Sequence, residues 1–177
     1  LPLAVGGEPP VGALAFNTLQ AERDWPEHLV SRLRLVAEVF TNALARGRSD
    51  QALRQSEEIN RATFEQAAVG IAHVAPDGRF LRVNDKLCSI TGYSREDLLS
   101  RTFQEITHAD DLEMDRELVS SMLSGKVLTG SIEKRYFRKD GSVVWVNIAA
   151  SLVRSASGAP RHFIAVLEDI TERRRAE

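Results

Sequence analysis

The stretch Val69-Gly70-Ile71-Ala72-His73-Val74-Ala75-Pro76-Asp77-Gly78-Arg79-Phe80-Leu81-Arg82-Val83-Asn84 decides how this chain folds. Ahead of it, apolar residues recur at spacings of three and four. From Val69 the period becomes two, the signature of a strand with one face against a core. Val69 to Ala75 reads as one strand and Arg79 to Val83 as a second. Pro76-Asp77-Gly78 supplies the turn between them: the proline presets its own φ and the glycine accepts a positive one. Asn84 then has the side chain to cap a helix.

Downstream, Asn84 to Phe103 carries short helical pieces broken at Gly92, with Ser94 and Asp97 placed to cap the next one. Thr107 and Asp110 open a longer helix running to about Ser124. Its Leu112, Met114, Leu118, Val119, Met122 and Leu123 form one broad apolar face, and Gly125 is a natural stop. Three strands follow, at about 130–138, 143–153 and 161–170, with Asp140-Gly141 and Ser157-Gly158 at the turns. Hairpin connections make the sheet antiparallel with helices on one face, an α+β domain over residues 67–171. Residues 172–177 are charged and helix-prone, the start of an exit helix.

Upstream, Leu3 to Val5 and Val11 to Phe16 flank Gly6-Gly7-Glu8-Pro9-Pro10, a hairpin pattern. Asp24 and Glu27 around Pro26 read as a helix start. Leu29, Leu33, Val36, Phe40 and Ala43 then form a heptad seam, which suits packing against a partner helix. Gly47 is expected to interrupt this helix. Residues 47–66 form a separate connecting helix, with coiled-coil dimerisation as its expected role.

The element order, with local motifs in register, resembles the PAS fold. The matching pieces are Val69-Gly70-Ile71, Pro76-Asp77-Gly78, Asn84, and Thr91-Gly92-Tyr93-Ser94. His108-Ala109-Asp110-Asp111 follows, then Arg138-Lys139-Asp140-Gly141 with Trp145, and Glu168-Asp169-Ile170-Thr171-Glu172-Arg173. Residues 1–46 resemble the C-terminal end of a GAF domain, a last hairpin around Val5-Gly6-Gly7 and Gly12-Ala13-Leu14 followed by a helix. The resemblance implies a cytoplasmic sensor module of a bacterial signal-transduction protein. Its implied effector is C-terminal and of histidine kinase type, with diguanylate cyclases and transcriptional activators as other owners.

Composition fits a soluble module. The formal net charge is −2 and 43% of residues are hydrophobic, so neither nucleic acid nor an anionic membrane is an expected partner. No apolar run approaches the roughly 20 residues of a membrane span. The chain begins without methionine, which reads as a cut from a longer protein. The single Cys88 excludes an internal disulfide. His28, His73, His108 and His162 share no metal-ligand spacing, and no phosphate loop, HExxH motif or nucleophile elbow is present.

The candidate site residues are therefore few. Met114, Leu118 and Met122 lie at helical spacing and can line a cavity, or serve as plain core. Trp145 and Asn147 share one side of a strand, where they can hold a flavin or other planar ligand, or close the core. Asp169, Ile170 and Thr171 stand between the last strand and the exit helix and are the expected relay. Three functions follow: a sensor relaying change to an effector as a homodimer through its flanking helices, a flavin- or haem-based redox or gas sensor, and a structural dimerisation module. No cofactor is compelled, and a small-molecule ligand is compatible with all but the last.

Overall fold

The computed structural model describes residues 2–4, 10, 12, 13, 15 and 24–176, and the chain divides into two compact units, Leu1–Asn60 and Arg61–Glu177. In the first, β1 (Pro2–Leu3) and β2 (Gly12–Ala13) pair antiparallel. Val5-Gly6-Gly7 and Leu14 of the expected hairpin lie outside the described residues. Helix α1 runs unbroken over Glu27–Glu65, so the break expected at Gly47 is absent. A helical glycine costs only about 1 kcal/mol relative to alanine, too little to end a helix of this length. Within one copy, the buried stripe of α1 overlaps the heptad seam only at Leu29 and Leu33. Ala37 and Thr41 are buried, with Leu33 and Ala45 half-buried one turn on either side. Val36 and Phe40, by contrast, are 44% and 54% exposed.

The second unit holds the sheet. After the end of α1 come β3 (Gly70–Val74), β4 (Phe80–Val83), α2 (Asp85–Thr91), α3 (Arg95–Leu99) and α4 (Phe103–Ile106). A 3-10 turn over Ala109–Asp111 leads into α5 (Leu112–Leu123), then β5 (Thr129–Phe137), β6 (Val143–Arg154), β7 (Pro160–Asp169) and α6 (Thr171–Ala176). The sheet order is β4-β3-β7-β6-β5, antiparallel throughout. This is the expected five-stranded α+β architecture, with strand bounds close to those read from the sequence.

Alternation along the strands sorts the side chains. Ala72, Val74, Val144, Val146, Ile148, Phe163, Ala165 and Leu167 point to the helix-covered face and build the core with Leu87, Leu98, Ile106 and Met122. Gly92 ends α2 in the left-handed region at φ 73°, its N–H bonded to the Cys88 carbonyl. Gly130 lies in close approach to α5: a Cβ there would sit 2.2 Å from a methyl of Leu118 and displace that side chain.

Candidate functional site

Between α5 and the inner face of the sheet lies a cavity of about 50 Å³. Its wall is mostly apolar, with Ala72, Val74, Leu118, Met122, Ile148 and Leu167 among its members, and its polar side chains are Tyr136 and one ion pair. Lys134 is 2% exposed and Asp115 5%, and the Lys134 ammonium bonds the Asp115 carboxylate at Oδ2. The ammonium also donates to Thr107 Oγ1 at 3.3 Å, while that hydroxyl donates to the Phe103 carbonyl at 2.8 Å. The rings of Phe103 and Tyr136 each stand 4.8 Å from Nζ. Burial pulls the Lys134 pKa below its usual value, with Asp115 opposing that shift, and burial raises Tyr136 well above 10.

The sequence reading missed this pair, although the signal was there. Ile132, Lys134 and Tyr136 alternate along β5, and Tyr136 is core, which forces Lys134 inward. On α5, Asp115, Leu118, Val119 and Met122 repeat at three and four and line the cavity. Met114 does not: successive steps of four drift around the helix, and Met114 ends 38% exposed. Leu118 and Met122 both line the cavity.

Trp145 and Asn147 share a face as expected, but it is the outer one, opposite the cavity. Their neighbours Val144, Val146 and Ile148 take the inward positions. Trp145 packs between the guanidiniums of Arg135 and Arg174, at 5.4 and 4.9 Å from the ring centre. Asn147 Oδ1 accepts from Ser131 Oγ at 3.0 Å. The same face carries Glu133, whose carboxylate pairs with Arg173 and Arg174 of α6.

Asp169, Ile170 and Thr171 form a dense joint. Thr171 Oγ1 accepts from the Trp145 N–H at 3.1 Å. Thr171 N–H donates to Asp169 Oδ1 at 2.9 Å, and Asp169 Oδ2 pairs with Arg138 at 3.2 Å. Arg138 also donates through Nε to the Ile90 carbonyl of α2. Ile170 is 3% exposed, and its N–H bonds the Trp145 carbonyl. The start of α6 is therefore pinned to β6, to the β5–β6 turn region and to α2.

A second joint holds the end of α1 and turns on Asn84, which the sequence offered only as a cap. Its Oδ1 accepts from Ile71 N–H at 2.8 Å and Leu87 N–H at 3.0 Å. Its Nδ2 donates to the Phe64 carbonyl at 2.9 Å and the Val69 carbonyl at 3.0 Å. All four hydrogen-bonding positions of the amide are used. Arg95 adds a two-pronged pair to Glu65 near the end of α1 and a contact to Asp85 of α2. Beside them, Phe64 meets His73 edge-on at 5.6 Å, and His73 stacks on His162 at 5.0 Å.

A flavin or haem does not fit the interior. Small-molecule sites usually enclose about 300–1,000 Å³, against about 50 Å³ here. His108 lies away from the cavity, stacked on Phe137 and capping the 3-10 turn through Nδ1. Cys88 is half-buried, and burial raises its pKa, keeping it a thiol. Among the described residues no cluster of three or more His, Cys, Asp or Glu is placed to hold a metal, and no helix is long and apolar enough to cross a membrane.

Comparison with known proteins agrees with this geometry. A family model described as PAS domain matches residues 67–172. The chain belongs to the PAS domain family. It is 36% identical over 176 residues to the probable diguanylate cyclase DgcE of Escherichia coli (strain K12), covering 99% of this chain and 16% of that protein. It is 29% identical to the sensor histidine kinase TmoS of Ectopseudomonas mendocina, over 73% of this chain and 13% of the relative. The crystal structure of the PAS domain of an HTR-like protein from Haloarcula marismortui superposes with a TM-score of 0.57 at 28% identity, covering 70% of this chain and 99% of that one. The chain thus spans less than a fifth of either curated relative.

Proposed function

We propose that this chain is the sensory and relay segment of a bacterial signalling protein, passing a change in the domain through its flanking helices to an effector C-terminal to α6. The observation that carries the reading is the Asp169–Thr171 joint. Thr171 starts the exit helix and holds a backbone N–H of β6, so a shift of the sheet at Trp145 moves the helix start with it.

The relative that aligns with nearly the whole chain favours a diguanylate cyclase as that effector, ahead of the histidine kinase suggested by the motif order alone. The exposed Val36 and Phe40 support homodimerisation along α1. The β1–β2 pairing followed by a helix supports the GAF-remnant reading of residues 1–46, and the lack of a spanning helix among the described residues is compatible with a cytoplasmic site.

The relay is tested in the parent protein with Thr171→Val and Asp169→Ala. Cyclic di-GMP formation from GTP and autophosphorylation from ATP are assayed side by side, which also identifies the effector. A change in output of about fivefold or more, with the unfolding midpoint retained, supports relay. Unchanged output would make the domain a dimerisation spacer.

A further inference from the structure

The cavity contains a charge pair that its apolar surroundings do not need. A hydrophobic pair of similar volume at positions 115 and 134 would pack such a core without the desolvation of two ions. The hydrogen bonding is also incomplete. An ammonium has three donors, and Lys134 uses two, on Asp115 and Thr107. The bonds recorded for Asp115 end on Oδ2, which leaves Oδ1 as an acceptor without a donor among the described residues. The pair lining the cavity thus has one donor and one acceptor without a recorded hydrogen bond, and the Tyr136 hydroxyl lines the same cavity.

The charges of this wall sum to zero, since Lys134 and Asp115 are the charged residues lining it. An anion or a cation entering would bury an uncompensated charge. A neutral molecule would not. The volume admits about four water-sized atoms. A surface groove of about 400 Å³ between α4 and α5, lined by Gln104, Arg116 and Ser120, shares Phe103, Asp115 and Val119 with the cavity. Those three side chains form the partition between groove and interior.

We infer that the cavity is a site for a small neutral molecule with a hydrogen-bond acceptor for Lys134, a donor for Asp115 and a short apolar stem, as in a short primary amide or alcohol. The inference rests on the sensory reading above and gives it a ligand class. Arrival of such a molecule would complete the bonding of the pair that ties α5 to β5, and β5 adjoins β6, the strand held by Thr171.

Three probes of one shape and different charge test it: acetamide, acetate and acetamidinium. Amide shifts of the isotope-labelled 177-residue chain are followed by nuclear magnetic resonance at constant pH and ionic strength. Acetamide is expected to shift residues of α5 and β5 saturably, and both ions at least tenfold more weakly. Asp115→Asn leaves Lys134 unbalanced and is expected to raise the affinity for acetate tenfold or more relative to acetamide. The double variant Asp115→Leu with Lys134→Met is expected to stay folded and lose the acetamide response. No saturable shift with acetamide, equal shifts with acetate, or an unaltered preference in Asp115→Asn would each overturn the inference. Such a failure is separable from failure of the relay, because Thr171→Val is read from the parent protein's output without any probe.

Discussion

Asn84 bonds a helix end, a linker, a strand and a second helix with one amide. Asn84→Ala would strand two buried N–H groups and free two carbonyls, and we expect a loss of about 3 kcal/mol in urea unfolding. Asn84→Asp keeps both accepting bonds but sets a carboxylate oxygen against the Phe64 and Val69 carbonyls. Hydrogen exchange should then rise at the end of α1 while α2 keeps its cap; equal loosening of both would refute the division of labour. A second expectation concerns His73, whose pKa is lowered below 6.5 by burial first, then by His162 and Arg82. The unfolded chain therefore takes up this proton before the folded one. The stability it contributes is whole above pH 6.5 and is lost as pH falls through the folded pKa. The unfolding midpoint should drop between pH 7.5 and 5.5, and the drop should shrink in His73→Gln.

Elements divide into those the sequence spells out and those it leaves ambiguous. Each strand of the large sheet was legible because period-two alternation coincided with glycine turns, as at Asp140-Gly141 and Ser157-Gly158. The joint at Asp169 to Thr171 was legible for the same reason, being a strand end followed at once by a capping residue. Alternation states which residues share a face but not which face is covered. Aromatic and amide character point Trp145 and Asn147 to the interior, whereas β6 offers Val144, Val146 and Ile148 for the same purpose. Lys134 was overlooked because a lysine in a strand usually reaches water. Gly47 misled in the opposite direction. It lies in a continuous helix with no positive φ, and a Cβ there meets nothing within 4 Å. Gly47→Ala should accordingly stabilise α1 by about 0.5–1 kcal/mol, seen as a higher helical melting temperature by circular dichroism. A lower one would refute the reading of Gly47 as an unstrained helix position with open space at its Cβ.

For the molecule as a whole, the homodimer proposed above has the widest consequences. Val36, Val39 and Phe40 are exposed on α1, and a parallel copy would bring the same residues together across a two-fold axis. Phe40→Glu combined with Val36→Glu should convert a dimer into a monomer in sedimentation velocity at micromolar concentration, leaving the fold of residues 61–177 intact. A monomeric parent chain would remove this route of signalling and leave the joints to act within one copy. Within the second unit, the first strand β3 and the last strand β7 are neighbours, with Gly70 opposite Leu167. Adjacent strands stand about 5 Å apart, so the chain goes into the sheet and comes out of it one strand-width apart. A domain with such closely set ends behaves as a cassette: it can be spliced into a continuous rod, duplicated in tandem or removed while the pieces on either side keep their spacing. Gene fusion can therefore exchange what is sensed without redesigning what responds.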